Sequence, residues 1–395
     1  MIEVQIASAE VVGIVLSGKN LDRTLKDVLS KHKKLASNER SAVQAIAFDT
    51  LRNYGLLHAQ LDTLLSATLS DAPVRHLLLI VLGQLQFSRA SAHAIVNHAV
   101  SACEQMGYPR AKPLVNAVLR NYLRTPEKFQ RERFRQEVAL YDFPTWWIER
   151  LKKEQPTRWQ DILTAARQHP PMCLRVNMRR AQVADYLIRL AEKGISAKPV
   201  SDHAIYLEKP MPVNDIPGFR EGLVSVQDPG AQLSATLLGV ENGMRVLDAC
   251  AAPGGKSGHL LEIANIHLTA LDNDAHRLKR VDENLRRLGF SATVKVADAA
   301  RTADWWDGTS FDRILLDVPC SGSGVTRRHP DIKWIRRETD LASFARQQMH
   351  LLASLWKCLA TGGRLLYVTC SVFDSENAAV INRFLGAYPT ARQIP

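Results

Sequence analysis

The six cysteines of this 395-residue chain (Cys103, Cys173, Cys250, Cys320, Cys358 and Cys370) contain no CxxC pair. A structural zinc site or a disulfide framework would show paired spacing, so neither is expected. The thiols are expected to be free, in a cytoplasmic protein without a bound metal. Long apolar runs are also missing. The longest, Leu77 to Leu82, falls far short of the roughly 20 residues of a membrane span. The apolar stretch Val11–Leu16 follows Glu3 and Glu10 rather than a positive leader, so no secretion signal is expected. GxGxxG is absent, which removes the dinucleotide fingerprint. A P-loop fails on one residue: Gly255-Lys256-Ser257 fits its end, but Cys250 stands where its first glycine belongs.

What is present describes an ordinary folded chain. Hydrophobic residues make up 46% and charged residues 23%, values that exclude wholesale disorder. The length suits about two or three domains, each able to bury a core. The net charge is +11, which points to a polyanionic partner. Residues 1–140 carry +6 of it, residues 141–225 carry +3 and residues 226–395 carry +2. The excess is weighted towards the front.

Residues 1–140 read as a helical bundle. Apolar positions recur at helical spacing at Leu21, Leu25, Val28 and Leu29, from Val43 through Ile46, Ala47, Leu51 and Tyr54 to Leu57, and at Leu114, Val118, Leu119, Tyr122 and Leu123. Breaks fall at Ser17-Gly18, Ser37-Asn38, Asp71-Ala72-Pro73 and Gly107-Tyr108-Pro109. Residues 141–225 suit a small α+β unit, with strands near 173–177, 196–200 and 204–207 and a helix near 183–193. From 226 onward strands alternate with helices, the pattern of a doubly wound parallel α/β sheet. Its strands are expected at Met244–Asp248, His267–Leu271, Thr293–Ala297, Arg313–Leu316 and Arg364–Val368.

The first of these strands runs into Cys250-Ala251-Ala252-Pro253-Gly254-Gly255-Lys256. Two glycines let the backbone approach a ligand, and the amides of the following helix can receive a carboxylate. Asp272 closes the second strand and is placed to hold ribose hydroxyls. Asp298 closes the third, where it can accept from an adenine amino group, and Asp317 closes the fourth. Carboxylates at successive strand ends suit a nucleoside with a cationic centre, which is S-adenosylmethionine.

Two cysteines share that edge, Cys320 in Asp317-Val318-Pro319-Cys320 and Cys370 in Thr369-Cys370-Ser371. Amines and hydroxyls need no thiolate before accepting a methyl group, whereas carbon 5 of a pyrimidine does. A thiolate added at carbon 6 makes carbon 5 nucleophilic, and a second thiol can then help the adduct collapse. Asp317 is placed to hydrogen-bond the ring nitrogen edge. The last helix, expected to begin near Ser375, follows Cys370 closely enough that its N-terminus should depress the thiol pKa.

These segments together resemble the RNA cytosine-5 methyltransferase family (NOL1/NOP2/Sun). The resemblance implies that Cys370 is the nucleophile, that Cys320 assists product release, and that residues 250–256 with Asp272, Asp298 and Asp317 bind the cofactor. DNA cytosine-5 enzymes attack with the PC cysteine, so the presence of both cysteines favours RNA. Arg327-Arg328-His329-Pro330-Asp331-Ile332-Lys333-Trp334 is similar to the branch acting on small-subunit ribosomal RNA, and residues 1–140 resemble the NusB RNA-binding bundle. The resemblance therefore implies three parts: a NusB-like domain (1–140), a small α+β RNA-binding linker (141–225) and a Rossmann-like methyltransferase domain (226–395). It also implies methylation of 16S rRNA at the cytosine numbered 967, on naked or early-assembly RNA; the chain is expected to be a monomer.

Arg327, Arg328, Lys333, Arg336 and Arg337 around Trp334 are expected to clamp phosphates beside a stacking ring. Two features depart from the family pattern. Val318 stands where alanine is usual, and the glycine- and aromatic-rich hairpin that ends the family fold has no match. Arg364–Val368 is accordingly expected as an exposed edge strand in a truncated form. Two other functions compete: a non-catalytic RNA-binding protein with a disabled methyltransferase domain, and a methyltransferase acting on amines, which leaves both cysteines unexplained.

Overall fold

The computed structural model describes residues 1–394. Its contacts fall into two compact units, Met1–His169 with Ser321–Asp340 and Ser371–Phe373, and Pro170–Cys320 with Leu341–Cys370 and the chain from Asp374 onward.

In the first unit, helices Ile2–Leu16, Leu21–Lys31, Ser37–Arg52, Tyr54–Leu64, Ala72–Phe87, Ala92–Gln105 and Lys112–Arg124 form the bundle. The apolar run Leu77–Leu82 is buried throughout, because this central stretch of helix 72–87 is apolar on every side and runs through the interior. The periodic stretch read as continuous to Leu57 breaks at Asn53, whose side-chain amide donates back to the Asp49 carbonyl. Leu114 and Leu123, expected on a buried face, are exposed. Val115, Val118, Leu119 and Tyr122 hold the inward positions at helical spacing instead.

The unit extends past the boundary expected at 140. Helices Thr145–Glu154 and Trp159–Arg167 belong to it, anchored by buried Phe143 and Trp147 with ring centroids 5.4 Å apart. Segment 321–340 also belongs here, and its Trp334 and Ile335 pack against the bundle core.

The second unit contains two sheets. Strands β1 (Met172–Val176), β2 (Ala197–Ser201), β3 (Ala204–Leu207) and β4 (Val224–Val226) pair antiparallel in the order β2-β3-β1-β4. β4 is only Val-Ser-Val, too short for its pattern to stand out in the sequence. Strands β5 (Arg245–Asp248), β6 (His267–Asp272), β7 (Thr293–Val296), β8 (Phe311–Asp317) and β9 (Leu359–Val368) form the parallel sheet, in the order β7-β6-β5-β8-β9.

Alternate residues of these strands enter two different cores. Val246, Ala270 and Leu315 join helices Pro229–Leu238, Gly255–Ile263 and Ala275–Leu288, while Leu247, Leu271, Ile314 and Leu316 join helices Glu338–Trp356 and Ala378–Ala387. β9 is an edge strand as expected, but Leu365, Leu366, Tyr367 and Val368 are half-buried between those cores rather than exposed.

One buried ion pair ties the small sheet to helix 255–263, which packs on the large one. Arg175 on β1 sends Nε and Nη2 to the two carboxylate oxygens of Glu262, at 2.8 and 2.6 Å, and Nη1 to the Gly255 carbonyl at 2.8 Å. Both side chains are almost wholly out of water. Removing one partner of such a pair strands the other charge. Arg175→Met should therefore lower unfolding stability by about 3–5 kcal/mol, read by denaturant titration, and a change within error of the parent would refute this assignment.

Candidate active site

Parallel pairing in this order places the C-terminal ends of all five strands on one side of the sheet, with the reversal of strand order between β5 and β8. A cavity of about 260 Å³ opens there. Ala249 and Cys250 line it after β5, Asp272 and Asn273 at β6, and Asp298 after β7. Asp317 to Cys320 line it after β8, and Cys370 lies after β9.

The loop after β5 is shaped by Gly254. This residue sits at φ +92°, and a Cβ there would stand 3.0 Å from the Val281 backbone. Only glycine meets both demands, and it leads directly into helix 255–263. Asp272 is held by two backbone amides, accepting from Ala252 N at 3.1 Å and from Asp274 N at 3.0 Å. A carboxylate so fixed keeps further lone pairs for ligand hydroxyls. Asp298 accepts from Ala300 N at 3.0 Å and borders the same cavity. Glycine cradle, helix start and oriented carboxylates suit an adenosyl compound bearing a positive centre.

Arg277 and Gln347 also border the cavity, and sequence reasoning missed both. Arg277 donates to the Ala252 carbonyl at 2.9 Å. Its place in the first turn of helix 275–288, five residues after Asp272, was the available signal. Arg175 left a different signal, a single charge inside an otherwise apolar strand.

Lys256 and Asp317 form an ion pair at 2.6 Å, which neither residue's pattern announced. Beneath them Asp248 is fully buried and accepts from Ser257 Oγ at 2.6 Å. Burial pushes its pKa from the ordinary 3.8 up to about 7, with a further rise from Asp317. Cys250 is also pushed up, by burial and then by the charges of Asp248, Asp317 and Asp272.

The two thiols meet. Cys320 Sγ and Cys370 Sγ are 3.2 Å apart. The expectation that a helix N-terminus depresses the Cys370 pKa is overturned. The last helix begins at Ala378, behind the short turn Asp374–Glu376, so no helix end lies next to Cys370. The Cys370 thiol donating to the Cys320 sulfur raises the Cys370 pKa instead, reinforced by desolvation and by the charges of Cys320 and Asp317, with Lys256 opposing. Cys370 thus holds its proton firmly.

The basic segment is only partly available to a ligand. Lys333 is buried in the first unit, where Nζ donates to the Arg52 carbonyl at 2.8 Å and lies 4.7 Å from the Phe143 ring centre. Burial pulls its pKa down to about 7, with Asp142 opposing. Lys333 is therefore withdrawn from the expected phosphate clamp. Trp334 is no open stacking ring either, because Nε1 donates to the Leu51 carbonyl at 2.7 Å and its ring packs edge-on with Tyr54, the ring centroids 4.8 Å apart. Arg327, Arg328 and Arg336 are half-buried, and Arg337 is exposed. Arg327 and Arg336 donate to the carbonyls of His169 and Ser321.

Among the described residues no group of three or more His, Cys, Asp or Glu could hold a metal ion, and no helix is long and apolar enough to cross a membrane.

Comparison with known proteins gives three family matches in chain order: the NusB family over residues 3–124, a ferredoxin-like domain of RsmF/B-like methyltransferases over 143–214, and the 16S rRNA methyltransferase RsmB/F over 235–395. The ribosomal RNA small subunit methyltransferase B of Pseudomonas syringae pv. tomato is 44% identical over 99% of this chain and 88% of its own length. The protein of that name from Escherichia coli K12 is 39% identical over 96% of this chain and 89% of its own. A crystal structure of a methyltransferase homologue from Pyrococcus horikoshii matches with a TM-score of 0.56 at 29% identity, over 63% of this chain and 81% of that one.

The Asp248 carboxyl is raised in the folded state, so the fold binds its proton more tightly than the unfolded chain does. Its contribution to stability is complete below about pH 4 and is lost as pH rises through about 7. Asp248→Asn should flatten the fall in melting temperature across that window, and an unchanged slope would refute the assignment.

Proposed function

The chain belongs to the 16S rRNA methyltransferase RsmB/F family, and we propose that it methylates carbon 5 of a cytosine, by resemblance cytosine 967, through a covalent adduct to Cys370. The observation that carries this reading is the thiol pair at 3.2 Å on the edge of the cavity lined by Asp272, Asp298 and Asp317. Methylation of an amine would leave both sulfurs without work.

S-adenosylmethionine, when bound, supplies an electrophilic methyl group. Residues 250–256, Asp272 and Asp298 would hold it, with Arg277 steadying the Ala252 carbonyl. In the proposed sequence Cys370 first passes its proton to the Cys320 sulfur and adds to carbon 6 of the ring. Asp317, oriented by Lys256, accepts from the exocyclic amine of the ring, and the Lys256 ammonium beside it offsets the electron density that builds on the ring. Carbon 5 then takes the methyl group and still carries its hydrogen. After Cys320 has released its first proton to solvent, its thiolate removes that hydrogen as a proton. The electron pair re-forms the ring double bond, and Cys370 leaves as thiolate.

For the RNA contact the candidates that remain are Arg327, Arg328, Arg336 and Arg337, with Arg337 the most open. Arg328→Ala with Arg337→Ala should flatten the dependence of RNA affinity on log salt by about 1 for each phosphate no longer neutralised. Identical slopes would remove this segment from the RNA site.

The decisive experiment uses labelled S-adenosylmethionine and unmethylated 16S rRNA. Cys370→Ala should abolish transfer, whereas Cys320→Ala should accumulate a protein–RNA adduct that survives a denaturing gel. Mass spectrometry of the digested RNA should place the label on carbon 5; label on a nitrogen or a ribose oxygen would overturn the proposal.

A further inference from the structure

We propose that Gln348 is a positioning residue for adduct release, because one amide group holds the loops of both thiols. Gln348 lies on helix 338–356 and is completely buried. Its Nε2 donates to the Pro319 carbonyl at 3.1 Å, on the peptide that leads into Cys320. The same nitrogen donates to Glu376 Oε1 at 3.1 Å, in the turn that follows the Cys370 loop. An amide has two N–H groups, and here each serves a different loop.

The Glu376 end is itself tied to the strand that carries Cys370. Tyr367 OH on β9 donates to the Glu376 carbonyl at 2.6 Å, and Thr369 Oγ1 bonds Asn377 Oδ1 at 2.5 Å. On the other side, Val318 N donates to the Val368 carbonyl at 3.0 Å. A closed circuit therefore runs from Cys320 through Pro319, Gln348, Glu376 and Tyr367 to Cys370. Gln348 is the part of that circuit contributed by neither loop.

The orientation of the amide carries a cost that fits this role. Gln348 Oε1 is buried without a hydrogen-bond partner. The reverse orientation would set that oxygen against a carbonyl and a carboxylate, an unfavourable approach of acceptor to acceptor at both. Both donations are kept at the expense of one acceptor. A residue needed only to fill the core would be better served by an apolar side chain of the same size.

The separation of the two sulfurs matters most after methyl transfer, when Cys320 must reach the carbon 5 proton while Cys370 is still bonded to carbon 6. Misplacement by a fraction of an ångström affects that step more than cofactor binding. The inference rests on the adduct mechanism proposed above.

The test uses the full chain with 16S rRNA and S-adenosylmethionine. It compares the parent, Gln348→Met, Gln348→Glu and Cys320→Ala. Gln348→Met removes both donors; Gln348→Glu keeps the shape and offers at most one. Each should lower turnover roughly tenfold or more and leave adduct on a denaturing gel. Single-turnover methyl transfer and cofactor affinity by calorimetry should stay within about twofold of the parent. Parent-like turnover without adduct would overturn the role of Gln348. So would a fall in cofactor affinity, transfer and melting temperature together without adduct, the mark of a merely structural residue. If Cys320→Ala also leaves no adduct, the covalent mechanism itself is at fault; if it does leave adduct, only Gln348 has failed.

Discussion

Parallel pairing of β5 with β8 is the constraint on which the site depends. Val246 lies opposite Arg313 and Asp248 opposite Leu315, so the glycine loop and the Asp317–Cys320 loop leave the sheet side by side. β9 continues the pairing, with Asp317 opposite Val368, and brings Thr369-Cys370 to the same level. A one-residue slip of β9 would reverse the facing of its side chains and move Leu365 and Tyr367 into the wrong core. The packing of the two cores thus fixes the register, and the register fixes the separation of the sulfurs.

Electrostatics within the site follow from that crowding. Burial raises the pKa values of Asp248 and Cys250, and the carboxylates that converge around the loop raise them further, with Lys256 opposing at Asp248 and Arg277 at Cys250. The thiol pair shares the same negative surroundings. The neighbouring sulfur, 3.2 Å away, and not a helix dipole dominates the electrostatics of Cys370.

The first unit shows how a basic motif can be spent on structure. Arg52, Lys333 and Trp334 bind carbonyl groups inside the unit, and Asp331 accepts the Leu21 amide at 3.0 Å. The segment is anchored to the helical bundle by the side chains whose chemistry made it look like an RNA clamp. Arg337 has no such internal duty among the described contacts of its side chain, and its exposure leaves it the clearest candidate for a phosphate.

Patterning alone determined the helical front, the five parallel strands and the loop residues 250–256, because those features rest on local spacing and on glycine at a position that needs it. Asp272, Asp317, Cys320 and Cys370 were legible for the same reason: parallel strands put their C-terminal loops on one edge, whatever their order in the chain. Contacts between residues far apart in the chain were not legible. The Lys256–Asp317 pair, the Arg175 bridge, the withdrawal of Lys333 and the Gln348 circuit depend on which distant side chains share a buried volume. A charge or an amide in the sequence looks the same whether it will meet water or a partner, and only packing decides which.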